Sequence, residues 1–180
     1  MTVDTYRPEL WHDFFVMVGG GAAALAGLVF VAMSLNLDVI AKDATHRYRA
    51  IGTLTGFAAA FVICALVLMG GQNHQAIGIE WLIVSVIATV VHVNGYIRAI
   101  DTGKSSVGLP LIRLVVGTAL YVAEILGAIM LTAGYIAGLF VAAVSLVGLL
   151  AYMITGAWLL LIGVYVIGVH TETKAQKHRA

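Results

Sequence analysis

Residues 14–37 read FFVMVGGGAAALAGLVFVAMSLNL, a continuous run without a charged side chain. A helix of about 20 such residues crosses the roughly 30 Å hydrocarbon core of a bilayer. Comparable runs occupy residues 50–70, 76–97, 109–132 and 137–169. These runs predict an all-α fold, a bundle of five transmembrane helices in one domain, with a short basic tail at 171–180.

The composition of the whole chain agrees with a membrane protein. Hydrophobic residues make up 61% of it and charged residues 11%, whereas an ordinary soluble domain carries about 25% charged residues. The net charge of +1 gives no reason to expect a nucleic-acid partner. The predicted partner is the lipid bilayer.

Basic residues indicate the orientation of the bundle. Of the ten Lys and Arg residues, all but Arg7 fall on one side of the membrane when the five runs are read as spans. They are Lys42, Arg47, Arg49, Arg98, Lys104, Arg113, Lys174, Lys177 and Arg179. Since basic residues concentrate on the cytoplasmic side, we expect the N-terminus outside and the C-terminus in the cytoplasm.

The fifth run is longer than a membrane crossing requires. As one straight helix, residues 137–169 would measure about 50 Å, and tilting alone does not accommodate that length. We expect either that its outer end, at 137–143, lies in the interface or projects beyond it, or that the helix kinks near Gly148 or Gly156.

Glu124 is the strongest candidate for a functional side chain because it interrupts an otherwise apolar span. An ionised group at the centre of a membrane helix costs about 2.5–3.5 kcal/mol and usually faces the bundle interior or a wet cavity. Two interpretations stay open: a protonated carboxyl hydrogen-bonded to Tyr121, Tyr152 or Thr155, or a proton or cation site on a water-filled path. Counting about 1.5 Å per residue from the cytoplasmic helix ends places Glu124 level with Gly19 to Gly21, Cys64, Val84 and Thr155.

Two further ionisable residues lie in the third run. Glu80 is one turn from its outer end, where a carboxylate can reach the headgroups, and the adjacent Trp81 is predicted at the outer interface. His92 lies deeper and is expected either to hydrogen-bond a neighbouring helix or to relay protons, with Asn94 nearby on another face. Haem ligation by His92 is the weakest alternative, since no other span contains a His to serve as the opposite ligand.

The segment Gly19-Gly20-Gly21-Ala22-Ala23-Ala24, followed by Gly27, has the most unusual composition in the chain. Each Gly costs a helix about 1 kcal/mol relative to Ala. The spacings from Gly20 to Ala24 and from Ala23 to Gly27 favour close packing against another helix of this chain or of a neighbouring subunit. The alternative is a hinge or broken helix whose free backbone groups meet an ion at the level of Glu124.

Motifs of known enzymes are missing from the sequence. It contains no G-x-S-x-G, P-loop, H-E-x-x-H or C-x-x-C, and its His residues show no spacing typical of a metal site. We therefore expect no enzymatic activity, no metal and no cofactor.

The opening of the chain resembles a known group of proteins. Trp11-His12-Asp13-Phe14-Phe15, continued by AAALAGLVFVAMSLN at 22–36, is similar to the start of a family of small, uncharacterised bacterial membrane proteins with five helices. The resemblance covers about the first third of the chain. It implies a location in the bacterial inner membrane and supplies no substrate and no site.

The leading functional hypothesis is an oligomeric channel or transport-type protein for a small ion or a proton, with Glu124 handling the charge. The alternative is a non-transporting accessory or regulatory protein that docks on another membrane protein through its small residues. A haem or redox membrane protein is the third hypothesis. The Gly-rich first span also favours association into a homo-oligomer.

Overall fold

The computed structural model describes residues 8–42, 44–101 and 108–177. It confirms the all-α prediction, since these residues form six α-helices and a short 3-10 helix at Pro8–Trp11. The α-helices are α1 (His12–Leu35), α2 (Leu37–Lys42), α3 (Ala44–Val67), α4 (His74–Asp101), α5 (Gly108–Thr132) and α6 (Ala137–Lys177). All except α2 are long and apolar enough to cross a membrane.

The five long helices expose apolar side chains on their outward faces. Leu28 and Phe30 on α1 and Val144 on α6 are 68%, 63% and 72% exposed. A water-soluble protein rarely leaves so much contiguous apolar surface open, and a helix that is apolar all round is typical of a membrane span. The chain is therefore a multi-pass integral membrane protein whose outward faces contact lipid.

Four helices form a ring, and α1 packs outside it. α3, α4, α5 and α6 contact one another in the order α3, α4, α5, α6 and back to α3, whereas α1 packs mainly on α3. The turns at 68–73 and 133–136 are short, so the helices that they join run antiparallel. We call the end of the bundle with these two turns the turn end. The opposite end, where α3 and α5 begin, is the basic end, because it holds Arg47, Arg49, Arg98 and Arg113.

A glycine reverses the chain between α5 and α6. Gly134 has a φ of +88°, a backbone conformation that favours glycine. Its N–H donates to the Leu131 carbonyl over 2.9 Å, and the Tyr135 N–H donates to the Met130 carbonyl over 2.9 Å. These two bonds form a Schellman cap, so the local sequence at Gly134 ends α5 and directs α6 back along it.

α5 and α6 approach closely through small residues near the turn end. A Cβ on Gly127 would lie 2.6 Å from the Ala142 backbone nitrogen, and a Cβ on Gly138 would lie 2.5 Å from the Gly127 carbonyl oxygen. The same close packing recurs toward the basic end, where Gly148 lies against Leu120, Gly117 against Tyr152 and Gly156 against Arg113. This register places residue 145 of α6 beside Glu124.

The course of α6 corrects the expectation for the fifth run. α6 is one helix of 41 residues that continues through Gly148 and Gly156, and its length is about 60 Å. Leu139 and Ala142, near its first turn, are 1% and 0% exposed. The contact with Gly127 packs this end of α6 inside the bundle, and whether residues 137–143 lie in the interface or beyond it stays a prediction. Relative to the predicted run at 137–169, the helix is longer at the other end, where it continues to Lys177.

The predicted basic tail is largely a continuation of α6, since the helix extends through Lys174 to Lys177. Arg7, Lys104 and Arg179, which contribute to the predicted orientation, lie outside the described residues.

Candidate functional site

Glu124 lies inside the bundle, bonded to a tryptophan. The carboxyl is on α5 and only 1% of the residue is exposed. The Trp81 indole Nε1–H of α4 donates to its Oε1 over 3.2 Å. Trp81 is itself 1% exposed, and its ring packs edge-on against Phe15 with the centroids 5.9 Å apart. The predicted position of Trp81 at the interface is therefore wrong, because its N–H finds a polar partner in the core.

The other neighbours of the carboxyl are neutral. Ser85, one turn after Trp81, is fully buried, and its hydroxyl faces the carboxyl without reaching hydrogen-bonding geometry to any group. Cys64 of α3 also lies close to Glu124. A Cβ on Gly19 would lie 2.8 Å from Cys64 Cβ, which confirms that Gly19, Cys64 and Glu124 share one level. An ionised carboxylate with no cation beside it would cost several kcal/mol here, so its protonation state decides what Glu124 can do.

Two of the three predicted partners of Glu124 lie elsewhere. Tyr121 is one turn away on α5 and close to Glu124, but Tyr152 and Thr155 bond Arg113 near the basic end. The predicted level of Thr155 assumes that the fifth helix ends at residue 169, whereas α6 continues to Lys177. That difference shifts α6 by about two turns relative to α5, so Thr155 does not reach Glu124.

Arg113 organises a cluster of polar groups inside the basic end. Its Nε–H donates to the Tyr96 hydroxyl over 3.1 Å, and its two terminal nitrogens donate to Thr155 Oγ1 over 3.2 Å and to the Tyr152 carbonyl over 3.0 Å. The guanidinium carbon lies 4.4 Å from the centroid of the Tyr152 ring, a cation–π contact. The Tyr152 hydroxyl also bonds the Tyr96 hydroxyl over 3.0 Å.

His92 lies between this cluster and Glu124. It is 5% exposed, and its ring centroid is 4.9 Å from that of Tyr96, 5.2 Å from Tyr121 and 5.7 Å from Tyr152. The ring makes a hydrogen bond with the Leu114 backbone of α5, as expected of a bond between helices, while its Nε2 has no hydrogen-bond partner. Three tyrosine rings packed around the imidazole leave no space for a porphyrin, so this packing argues against haem ligation at His92.

A cavity lies between His92 and the side chains of Tyr96, Arg113 and Tyr152. It has a volume of about 20 Å³, which is enough for a water molecule. Its lining includes Arg49, His92, Tyr96, Arg113, Tyr121 and Tyr152. Tyr121 therefore faces the cavity and lies one helical turn from Glu124 on the same face of α5. We call the series Arg113, Tyr152, His92, Tyr121 and Glu124 the polar line.

Glu80 and Asn94 do not belong to the polar line. Glu80 is half-buried at the turn end, and the Gln72 side-chain amide donates to its two carboxylate oxygens over 3.2 and 3.0 Å. This bond ties the α3–α4 turn to the first turns of α4. Asn94 is exposed on the outward face of α4.

The glycine segment divides into one inward residue and an outward face. α1 is a continuous helix from His12 to Leu35, so the alternative of a broken helix at Gly19 to Gly21 is wrong. Gly19 is buried, whereas an outward face consisting of Gly20, Gly21, Ala24 and Gly27 is exposed. A Cβ on any of its three glycines would meet nothing within 4 Å. We call these four residues the small-residue face.

Several residues of the site were not predicted from the sequence. Arg113 enters the prediction only as one of the basic residues that indicate the orientation, and Tyr96 and Ser85 do not enter it. The spacing of Arg113, Gly117, Tyr121 and Glu124 places them on one face of a helix, and this pattern is the signal that could have found the line.

Among the described residues, no group of three metal-binding side chains occurs. No protein-family model, curated protein or solved structure matches the chain. Its function is therefore argued from the polar line and its surroundings.

Proposed function

We propose that this integral membrane protein is a transport-type protein that moves a proton or another small ion, with Glu124 as the residue that carries the charge. One observation supports the proposal above all, namely that partly buried polar side chains at Arg113 and Tyr152 are followed by the buried His92, Tyr121 and Glu124 through an apolar bundle. Polar and ionisable residues inside a membrane are costly and often mark ion pathways. We propose no enzymatic reaction and no cofactor.

The basic end is proposed to face the cytoplasm of a bacterial cell, with the N-terminus outside the inner membrane. Its arginines favour this orientation by the positive-inside rule. From Arg113 to Glu124, α5 rises about 17 Å, roughly half of the 30 Å hydrocarbon core. The polar line then leads from the cytoplasmic surface to the middle of the membrane.

The turn end is closed by apolar packing. Phe15, Trp81 and Leu131 are each 1% exposed, and they lie between Glu124 and the turns. In this conformation, Glu124 is therefore closed off from the turn end, and only Tyr121 separates it from the cavity on the side of the basic end. Transport requires a second conformation in which Trp81 moves and the carboxyl faces the other side.

Proton flux in liposomes tests the proposal. Purified protein is reconstituted, a pH gradient is imposed, and its decay is followed with a pH-sensitive dye. We expect the wild type to dissipate the gradient and Glu124→Gln to reduce the rate to that of empty liposomes, because an amide of the same shape does not bind a proton. Glu80→Gln is the matched control and should keep the wild-type rate, since Glu80 lies outside the polar line.

Two outcomes contradict the proposal. One is a wild-type rate no faster than that of empty liposomes for protons and for small monovalent ions. The other is an unchanged rate in Glu124→Gln.

A second candidate function, an accessory protein that docks on another membrane protein or on a second copy of itself, is supported by α1. This helix packs on the ring mainly through α3, and its small-residue face is directed away from it. Small residues allow membrane helices to approach closely. A dry Glu124, held by Trp81, would then stabilise the fold and move no ion.

A further inference from the structure

Two arginines face one cavity, and neither pairs with an acidic side chain in the part of the chain that the structure describes. Arg113 bonds only neutral groups, the Tyr96 hydroxyl, Thr155 and the Tyr152 carbonyl. Arg49 of α3 lines the same cavity, and its buried Nε has no hydrogen-bond partner. Among the described side chains, no carboxylate contacts either guanidinium. Positive charge in a partly buried site is stable when an anion compensates it, and no described side chain supplies one to these two guanidinium groups.

A second cavity adjoins the first and repeats its charged lining. Arg49, Thr53, Tyr96 and Arg113 line both, and Gly156 of α6 lines the second. A Cβ on Gly156 would lie 2.7 Å from an Arg113 terminal nitrogen. The absence of a side chain at this position keeps the guanidinium accessible from the gap between α3 and α6.

The two guanidinium groups come from different helices, Arg49 from α3 and Arg113 from α5, and both line the same space. A tetrahedral phosphate presents oxygens in several directions, so different oxygens can meet the two groups. His92 also lines the first cavity, but its ring hydrogen bond with the Leu114 backbone leaves Nε2 as an acceptor in the neutral imidazole, so it adds no donor. Guanidinium groups bind phosphate oxygens through short, charge-assisted bonds.

The depth of the site also fits a phosphate. Arg49 and Arg113 each lie five residues from the first residue of their helix, Ala44 in α3 and Gly108 in α5, or about 8 Å along each helix. This depth is close to the level of lipid headgroups, and α3 and α5 both direct the positive end of the helix dipole toward this end of the bundle.

We propose that the guanidinium groups of Arg49 and Arg113, approached from the gap between α3 and α6, together bind a phosphate group, carried either by an anionic lipid headgroup or by a soluble phosphate. The site does not depend on ion flux through Glu124. Binding and flux are measured separately, so the two proposals can fail independently.

Arg49→Gln is the diagnostic substitution. Its guanidinium makes no hydrogen bond to a described side chain, so the fold should tolerate its loss, whereas Arg113 holds three neighbours in place. Arg98→Gln is the matched control, because Arg98 is exposed at the same end of the bundle, carries the same charge and does not line either cavity.

The experiment uses the full chain, purified and delipidated in an uncharged maltoside detergent. Inorganic phosphate is titrated by calorimetry, and phosphatidylglycerol is added and detected by native mass spectrometry, with diacylglycerol as the phosphate-free lipid. We expect at least one phosphate probe to bind the wild type. Arg49→Gln should weaken its binding by about tenfold to a hundredfold, and Arg98→Gln by no more than about twofold.

Each result decides the proposal. Binding of inorganic phosphate that Arg49→Gln weakens identifies a soluble ligand, and binding of phosphatidylglycerol alone, weakened in the same way, identifies a lipid headgroup. The proposal is overturned if neither probe binds the wild type, a result that needs no variant to fold. It is also overturned if Arg49→Gln binds like the wild type, or if both substitutions weaken binding equally.

Discussion

Glu124 and His92 are both held by neighbours that leave part of their hydrogen-bonding capacity unused. The carboxyl accepts one bond from Trp81, and Ser85 beside it donates to no group. His92 is likewise bonded on one side and open at Nε2. Buried polar groups are normally satisfied, and exceptions cluster where a group exchanges a proton or meets a ligand.

The packing of His92 depends on Gly117. A Cβ at that position would lie 2.5 Å from His92 Cε1 and 2.9 Å from Tyr152 Cζ, and the surrounding tyrosines restrict any shift of the imidazole. We expect Gly117→Ala to lower the free energy of unfolding by about 1–3 kcal/mol, the usual cost of overpacking a core. Gly52→Ala on α3 is the control, since a Cβ there meets nothing within 4 Å. It should be neutral or stabilise by up to about 1 kcal/mol.

Denaturant unfolding of both variants in detergent measures the difference. Equal stabilities of Gly117→Ala and Gly52→Ala would contradict the close packing of His92 against α5.

The elements were predictable from the sequence because each depends on local composition. The apolar runs place all five spanning helices, and the level shared by Gly19, Cys64 and Glu124 follows from counting residues along short, well-bounded helices. The same counting failed for Thr155 because apolar residues do not mark where α6 ends. The prediction that Trp81 lies at the interface failed for another reason. Its partner Glu124 is 43 positions away in the sequence, and no local pattern reveals such a contact.

At the level of α1, the small-residue face gives a prediction about assembly. We expect the purified protein to form a homo-oligomer, with a mass in detergent that is a multiple of the 19.0 kDa chain, because small residues on one face favour close contact between helices. Gly20→Leu should shift the protein toward the monomer. Val115→Leu is the control, since Val115 is 61% exposed on α5, away from that face.

Light scattering with the detergent contribution subtracted measures the mass. A monomer at all protein concentrations would contradict the predicted homo-oligomer. Docking on a different membrane protein would then remain the proposed role of the small-residue face of α1.

For the whole molecule, five crossings require the two termini to lie on opposite sides of the membrane. The arginines of the basic end favour the cytoplasm as the side of the C-terminus. We therefore expect a tag at the N-terminus to be accessible to protease in intact spheroplasts and a tag at the C-terminus to be protected until the membrane is opened. Tags that are accessible on the same side would contradict the five-span topology and, with it, the assignment of Glu124 to the middle of the membrane.

The polar line should connect a protonated Glu124 to water, and infrared spectroscopy measures that connection directly. The spectrum of the wild type minus that of Glu124→Gln isolates the carbonyl stretch of the Glu124 carboxyl, and transfer to D₂O shifts this band when the proton exchanges. We predict a protonated-carboxyl band that shifts soon after transfer, because the cavity brings water within one side chain, Tyr121, of the carboxyl. A carboxylic band that stays unshifted long after the exposed amides have exchanged, or the absence of any such band, would contradict the connection.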